Sequence, residues 1–317
     1  MLIVGIDGGG TKTEAVLCDG EGRVLSRVIG GPTSPTSRPA AQVRETLAKI
    51  LRRLMEGRGG LAGGLDALFA GLSGGSVGNN AALIGNMLRE LLPGCRQISN
   101  FSDCLNALRS AIPQGDGLVA ISGTGSSVFA CVDGQLRQCG GWGYLLGDEG
   151  SGYDLGQRAL RCALRALDGR GPATTLAVAC QRKLGQDVRQ AVPRLYQEGR
   201  PGIAAFAPVL LAEAQAGDAV AQAQLEAAAA GLAESITAAG RWLSGCPKRT
   251  AIAGSVWKNS AFRERMQRIL GEEYLICETD LPPVYGSFVL ALHQAGLTPT
   301  EETERRFRAT LPPAQEA

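Results

Sequence analysis

A repeat within the chain constrains its fold more than any other feature of the sequence. An apolar run over residues 2–7 ends in an acid and three glycines, and a second apolar run over 118–121 is followed by Ser-Gly-Thr-Gly-Ser. The two segments align so that Gly8 meets Gly123, at a separation of about 115 residues. The repeat predicts two related α/β domains, each of which opens with a strand, a Gly-rich turn and a second strand.

Apolar periodicity predicts the remaining elements and the domain limits. Short apolar runs bounded by turn residues predict strands over residues 2–7, 14–18, 23–29, 65–72, 95–99, 118–121, 127–132, 250–253 and 274–277. Apolar residues at helical spacing predict helices over residues 41–56, 79–92, 103–111, 154–167, 173–184, 203–216, 219–243, 259–270 and 284–295. We place an N-terminal domain at 1–116, a C-terminal domain with helical insertions at 117–297, and a polar tail, mobile or loosely docked, at 298–317.

Composition argues against several functional classes. The single histidine, His293, argues against a Ser-His-Asp triad and excludes a multi-histidine zinc site. Because 32 basic and 30 acidic residues nearly balance, the chain lacks the charge of a nucleic-acid-binding protein. No apolar run approaches the ~20 residues of a membrane span, and the first residues lack the pattern of a signal peptide. Nine scattered cysteines without a Cys-x-x-Cys motif predict reduced thiols and a cytoplasmic protein.

The first candidate site is a Gly-rich turn at the end of the first predicted strand. Its residues are Asp7, Gly8, Gly9, Gly10, Thr11, Lys12 and Thr13. The turn is neither a P-loop, because Thr11 stands where Lys is required, nor a GxGxxG motif. Glycines let backbone N–H groups approach phosphate oxygens, Thr11 and Lys12 add contacts, and Asp7 is a candidate Mg²⁺ ligand. A plain hairpin turn is the alternative.

Two further Gly-rich turns follow predicted strands. In the second repeat, hydroxyls flank the glycines and Ser122 replaces the acid, which suits a phosphate site rather than a cation site. The candidate residues are Gly123, Thr124, Gly125 and Ser126. We expect the two repeated turns to face each other across a cleft and to hold a polyphosphate. The third turn, Gly254-Ser255, suits flat contact with an adenine–ribose unit, with a bare turn as the alternative.

Asp103 is the candidate general base. It follows the strand predicted over 95–99 and opens a helix, whose dipole favours an ionised carboxylate. Such a group can accept the proton of a hydroxyl that attacks a phosphoryl group. The alternative is that Asp103 only caps the helix.

A loop rich in glycine precedes the helix predicted at 154–167. Between residues 139 and 152 the chain reads CGGWGYLLGDEGSG, which combines backbone freedom, an aromatic face and carboxylates. That combination suits recognition of a polyol, and a structural linker is the alternative.

The motifs IDGGGTKT, ISGTGS, CGGWGYLLGDEGSG and AGSV, in this order, resemble the BadF/BadG/BcrA/BcrD-type ATPase family. The resemblance covers about residues 2–296 and is strongest to the N-acetylglucosamine kinase branch of the actin-like, sugar-kinase and heat-shock-chaperone superfamily. It implies duplicated α/β, ribonuclease-H-like domains, each with a mixed five-stranded sheet, and ATP with Mg²⁺ in the cleft between them. It also implies a homodimer that phosphorylates an amino sugar, N-acetylglucosamine at its 6-hydroxyl.

The resemblance also implies residue roles. The turn from Gly8 to Lys12 would hold the β- and γ-phosphates, and Gly123 to Ser126 would form the second phosphate loop. Asp103 matches the catalytic aspartate of the family, and Gly254 with Ser255 matches the adenosine end. Four residues match positions that contact the sugar: Gly141, Trp142, Gly143 and Asp148.

One position departs from the family pattern. Ser34 stands where related sugar kinases carry an Asn that binds sugar hydroxyls, so the identity of the sugar stays open among N-acetylglucosamine, glucosamine, N-acetylmuramate and other N-acylated sugars. Two other functions also stay open at this point. One is an ATP-driven activator of a dehydratase or reductase with a shared iron–sulfur cluster, for which Cys104 and Cys139 are candidate ligands. The other is a catalytically silent sugar or nucleotide sensor.

Overall fold

The computed structural model describes residues 1–57 and 64–317 and divides into two units. The first unit contains Met1–Gln114 and Glu278–Ala317, and the second contains Gly115–Cys277. Among the described residues, no helix has both the length and the apolarity that crossing a bilayer requires.

The first unit is built on a mixed sheet. Its strands are β1 (Leu2–Gly8), β2 (Thr13–Asp19), β3 (Val24–Gly30), β4 (Leu65–Leu72), β5 (Cys95–Ser102) and the short β11 (Gln315–Glu316). They lie in the order β11-β3-β2-β1-β4-β5. The strands β1 to β3 form an antiparallel meander, whereas β1, β4 and β5 are parallel. The carboxyl ends of these three parallel strands therefore meet at one edge of the sheet.

Helices cover both faces of this sheet. They are α1 (Ala40–Leu54), α2 (Asn80–Leu91), α3 (Cys104–Ala111), α10 (Pro283–Gln294) and α11 (Glu301–Thr310). Leu47 and Ile50 of α1 join Ile84 of α2 in the core on one side. On the other side, Phe288 of α10 and Phe307 of α11 pack against the sheet with no exposed surface.

The second unit repeats the same strand order. Its strands are β6 (Gly117–Ser122), β7 (Ser126–Val132), β8 (Gln135–Cys139), β9 (Lys248–Ala253) and β10 (Tyr274–Cys277). They lie in the order β10-β9-β6-β7-β8, with β6 to β8 antiparallel and β6, β9 and β10 parallel. Thus β6 takes the place of β1 and β9 that of β4. The duplication predicted from the Gly-rich turns is confirmed.

Helices form most of the rest of the second unit. They are α4 (Gly152–Leu167), α5 (Leu176–Leu184), α6 (Val188–Ala204), α7 (Ala207–Gln215), α8 (Ala219–Gly240) and α9 (Ser260–Leu270). A single buried core joins them to the sheet, through side chains such as Leu155, Leu210 and Leu232. Helix α6 is interrupted at Gly199, whose φ of 61° and ψ of −145° are not helical.

Four of these helices and strands were not predicted by periodicity. Strand β8 is a polar edge strand, β11 has only two residues, α6 carries Pro193, Gly199 and Pro201 inside its span, and six of the ten residues of α11 are charged. The segment predicted as a loose tail instead holds α11, which begins with a capping box between Thr300 and Thr303.

The division of the chain also differs from the predicted one. Residues after Cys277 belong to the first unit, because α10 packs its apolar face on β1 and β4 there. The apolar pattern of α10 is equally compatible with packing on either of the two similar sheets, so the sequence did not show which sheet it covers.

Candidate functional site

The first Gly-rich turn forms the exposed tip of the β1–β2 hairpin. The N–H group of Gly9 donates to the Lys12 carbonyl at 2.8 Å and closes the turn. Within the described residues, the backbone N–H groups of Gly10, Thr11 and Lys12 have no partner, and all three residues are exposed. Free N–H groups beside a lysine are what a phosphate group requires.

Asp7 lies at the end of β1, at the base of this turn. The Asn106 side-chain amide donates to Oδ1 of Asp7 at 2.6 Å and to the Gly71 carbonyl at 3.0 Å. Asp7 is partly exposed, yet protein atoms surround its carboxyl group so closely that desolvation raises its pKa to about 7. The charge of Asp103 also raises this pKa, whereas Lys12 lowers it. The two candidate carboxylates therefore lie within electrostatic reach of each other.

Asp103 lies between the end of β5 and the start of α3. Its side chain makes no capping hydrogen bond to α3, and Ser102 Oγ donates to its Oδ1 at 3.3 Å. Desolvation raises the pKa of Asp103, while hydrogen bonds from Ser102, from backbone N–H groups at the helix start and from Ser73 oppose that rise. A half-buried carboxyl group with a raised pKa is suited to accept a proton.

The loop after β3 packs against the first turn. The Thr33 N–H group donates to the Gly9 carbonyl at 3.2 Å, and the hydroxyls of Thr33 and Thr13 lie 2.8 Å apart. Ser34 follows with 2% of its surface exposed, and its hydroxyl lies 3.0 Å from that of Thr36. The structure thus brings Ser34 to the same side of the unit as the first turn.

The carboxylates of the first unit fit a magnesium ion. Mg²⁺ is held in proteins by one or two carboxylates together with phosphate oxygens and water. The pKa of Asp7 is raised to about 7 because its carboxyl is poorly solvated and close to Asp103, so a cation there would supply a missing positive charge. Among the described residues, no cluster of three or more His, Cys, Asp or Glu side chains offers a closed metal site. The donor set therefore suits a metal that arrives with phosphate.

The second Gly-rich turn is held in place by hydrogen bonds to the loop that contains Glu149 and Gly150. Ser122 Oγ donates to the Gly150 carbonyl and Ser126 Oγ to the Glu149 carbonyl, each at 2.8 Å. These two hydroxyls serve the structure of the loop. The backbone N–H groups of Thr124 and Gly125 have no partner within the described residues, and they are the donors left for a ligand.

A cavity of about 330 Å³ adjoins the second turn within the second unit. Gly123, Thr124, Ser255 and Val256 line one side of it, and small or apolar residues from the end of α6 and from α7 line the other. Gly254, with φ of 105°, lies so close to the second turn that a Cβ there would come within 2.2 Å of the Ser122 carbonyl oxygen. A shallow, apolar cavity beside free N–H groups is suited to a nucleoside with its phosphates.

The residues predicted to contact the sugar differ in their surroundings. Asp148 has φ of 64° and 3% exposure, and its Oδ2 accepts a hydrogen bond from Nη2 of Arg200 at 2.6 Å. Gly141 packs against the start of β7, where a Cβ would lie 2.6 Å from the Ser126 carbonyl oxygen. Trp142 is 65% exposed, and an added Cβ at Gly143 would meet nothing within 4 Å.

Two residues of these sites were missed by sequence reasoning. Asn106 holds Asp7 from 99 residues away, and Arg200 holds Asp148 from 52 residues away. Asn106 lies one turn after Asp103, so a polar residue on the buried face of α3 was an available signal. Arg200 lies in a helix broken by glycine and proline and carried no such signal.

Known proteins similar to this chain agree on one family. A relative from Clostridium acetobutylicum, an N-acetylmuramic acid/N-acetylglucosamine kinase, is 35% identical over 178 residues, which is 55% of this chain and 57% of the relative. An N-acetyl-D-glucosamine kinase from Dictyostelium discoideum is 29% identical over 92% of this chain and 98% of its own.

Solved structures and family models extend this agreement to the fold. A provisionally assigned N-acetylglucosamine kinase from Chromobacterium violaceum is 28% identical, with a TM-score of 0.72 over 92% of this chain and 98% of its own. This similarity confirms the α/β fold with two mixed sheets that the sequence predicted. The model of the BadF/BadG/BcrA/BcrD ATPase family matches residues 4–287. The chain therefore belongs to the BadF/BadG/BcrA/BcrD ATPase family.

Proposed function

We propose that this protein is an ATP-dependent kinase that transfers the terminal phosphoryl group of ATP to the 6-hydroxyl of an amino sugar, N-acetylglucosamine first among them. The observation that carries the proposal is the pairing of Asp7 and Asp103 beside a turn with free N–H groups. Phosphoryl transfer needs such a turn for the phosphates, carboxylates for a metal, and one carboxylate for the incoming hydroxyl.

Asp103 acts as the general base. Its carboxylate orients the sugar hydroxyl and accepts its proton as the oxygen forms a bond to phosphorus and ADP departs. The raised pKa of Asp103 brings its basicity closer to neutral pH than that of an ordinary aspartate. The hydrogen bond from Ser102 fixes the rotation of the carboxyl group.

Backbone N–H groups bind the phosphates. In the first unit they come from the turn at Gly10 to Lys12, and in the second from Thr124 and Gly125. Asp7, with Asp103 close by, would hold the Mg²⁺ ion, and the ion would supply positive charge to the phosphate oxygens. The adenosine part of ATP occupies the cavity beside Gly254 and Ser255.

The proposed sugar contacts are the residues that the family resemblance assigns. Ser34 lies beside the first turn, whereas Gly141, Trp142, Gly143 and Asp148 belong to the loop before α4. The amino-sugar class is supported by the names of the relatives, one of which acts on both N-acetylmuramic acid and N-acetylglucosamine. Because Ser34 stands where the family pattern has an amide side chain, the sugar within this class is to be identified by assay.

The cellular location and the oligomeric state of the protein are also proposals. A cytoplasmic location is supported by the free state of all nine cysteines, Cys104 among them. A homodimer is implied by the resemblance to the family.

The alternative function with a shared iron–sulfur cluster would need Cys104 and Cys139 as thiolate ligands. Thiolates ligate iron, but burial raises the pKa of Cys104 to about 12 and also raises the pKa of Cys139. These surroundings favour the protonated thiols. A purified protein that is colourless in the absence of air is the expected result.

Substitution of Asp103 tests the proposed mechanism. Asp103→Asn removes the proton acceptor but keeps the shape, so turnover should fall by about 10² to 10⁴-fold while the dissociation constant of ATP stays within about twofold. The matched control is Asp133→Asn, which changes an exposed aspartate in the turn between β7 and β8. Near-normal turnover of Asp103→Asn would refute the role of Asp103.

A further inference from the structure

Arg200 occupies an unusual position in the second unit. It follows Gly199, whose non-helical backbone interrupts α6, and precedes Pro201, which lines the cavity beside the second turn. This break carries the side chain of Arg200 away from the helix and over the second Gly-rich turn. A Cβ at Gly125 would lie 1.9 Å from Nη2 of Arg200, so the guanidinium group lies directly against the loop backbone.

Several contacts hold the guanidinium group there. Nη2 donates to the buried carboxylate of Asp148 at 2.6 Å, and the group lies 5.7 Å from the ring centroid of Tyr144. The ring of Tyr144 packs in turn against Tyr153 at 5.0 Å. An arginine fixed by a carboxylate and an aromatic ring keeps its charge and loses little entropy when it binds a ligand.

One donor of this guanidinium group is unused. The Nε atom of Arg200 is buried and has no hydrogen-bond partner among the described residues. A buried charged donor without an acceptor is costly, and native proteins rarely retain one without a reason. Arg200 lies against Gly125, and the N–H groups of Thr124 and Gly125 are also without a partner among the described residues, so they call for the same kind of acceptor.

We propose that Arg200 is a phosphate-binding residue of the nucleotide site. One part of its guanidinium group remains on Asp148, and its exposed N–H groups donate to a phosphate oxygen of the nucleotide at the second turn. This inference rests on the proposed function, because it takes the cavity and the second turn to be a nucleotide site. It adds a residue to which no motif of the sequence pointed.

The arrangement also links two ligands through one side chain. Asp148 is a proposed sugar contact, and Arg200 pairs with it and precedes Pro201, which lines the proposed nucleotide cavity. Arg200 therefore acts as a positioning residue for Asp148 and as a direct contact for the phosphates.

Titration calorimetry without sugar tests the proposal, with adenosine, ADP and ATP at constant Mg²⁺ and ionic strength. In Arg200→Met, the dissociation constants of ADP or ATP should rise by about 10- to 100-fold, while that of adenosine changes by less than about twofold. Arg200→Lys keeps the charge but not the planar guanidinium group. It should show a smaller loss of affinity for ADP and ATP, again with little change for adenosine. The matched control is Arg194→Met, a half-exposed arginine on the same helix that pairs with Glu198.

Two results would overturn the proposal. One is unchanged binding of all three ligands to Arg200→Met. The other is an equal loss for adenosine and ATP, which would mean that Arg200 only maintains the cavity. Should Arg200→Met fail to fold, Arg200→Lys gives the same comparison. A wild-type protein that binds no nucleotide would instead refute the proposed function itself, and this inference with it.

Discussion

At the scale of single residues, the candidate site depends on carboxylates that are partly desolvated by the surrounding protein atoms. Asp7 has one good hydrogen bond, from Asn106, and its pKa is nevertheless raised to about 7 by desolvation. The charges of Asp103 and Glu14 add to the rise. A carboxylate in this condition is stabilised by a cation, which is why the same residue is the proposed metal ligand.

The stability of the metal-free protein should therefore depend on Asp7 and on pH. The ordinary pKa of an aspartate is about 4. Because the folded protein keeps a proton on Asp7 up to a pKa of about 7, the contribution of Asp7 to the free energy of unfolding falls as pH rises from about 4 to 7. Asp7→Asn should match the wild type near pH 4 and be more stable at pH 8, by at most about 4 kcal/mol. Urea unfolding in EDTA at both pH values measures this difference.

Added Mg²⁺ supplies the control for that experiment. At pH 8, Mg²⁺ with ADP should stabilise the wild type more than it stabilises Asp7→Asn, because only the wild type offers the carboxylate. A wild type that is as stable as Asp7→Asn at pH 8 in EDTA would contradict the account of Asp7.

The sequence predicts which residue types stand at strand ends, and it does so well here. Asp7 and Asp103 were predicted as site residues because each follows a strand, and the structure places both at one edge of the first sheet. Asn106 and Arg200 were not predicted. Their contacts join segments that are 99 and 52 residues apart, and no local pattern encodes such a meeting.

At the scale of elements, the position of Asn106 depends on how α3 meets α10. Gly286 of α10 lies against α3 so closely that a Cβ there would come within 1.9 Å of the Asn106 carbonyl oxygen. The Gly286 N–H group also donates to Ser110 Oγ, which donates to the Asn106 carbonyl at 2.9 Å. The close approach of the two helices therefore supports the side chain that holds Asp7.

Gly286→Ala tests this contact. The added methyl group meets backbone atoms, which cannot rotate away, so the variant should lose about 1–3 kcal/mol of stability and also lose turnover as Asn106 moves. Thermal or urea unfolding and an activity assay measure the two effects. Gly64→Ala is the control, because nothing lies within 4 Å of a Cβ there, and its stability should change by less than about 0.5 kcal/mol. Equal free energies of unfolding for Gly286→Ala and the wild type would show that α3 and α10 can move apart without loss of stability, and would contradict this account of the contact.

Elements with a clear apolar period were predictable, and those without one were not. Helix α1 shows five apolar residues on one face and was predicted within two residues of its observed ends. In contrast, α11 has a single fully buried apolar side chain, Phe307, among charged residues. Its stability comes from its local capping box and from packing of Phe307 on α10, and the second of these depends on a partner that its own sequence does not reveal.

At the scale of the whole molecule, the duplicated strand order with its two Gly-rich turns supports the proposed function. Both units place a Gly-rich turn between the first two strands of the same strand order, but the residue that precedes the turn differs in its chemistry. The first turn follows Asp7, whereas the second follows Ser122, whose hydroxyl serves the loop structure. In the proposed function, the first turn therefore supplies the acid for a metal, and the second supplies backbone donors with Arg200 beside them.

The measurement that tests the central claim most directly is ADP release from Mg²⁺·ATP against a panel of sugars. The panel should include N-acetylglucosamine, glucosamine, N-acetylmuramate and glucose, with N-acetylglucosamine lacking its 6-hydroxyl as the control. The account predicts ADP release that depends on an amino sugar, an equal amount of sugar phosphate by mass spectrometry, and none from the 6-deoxy sugar. ATP that binds with no sugar-dependent release of ADP across the panel would contradict the account.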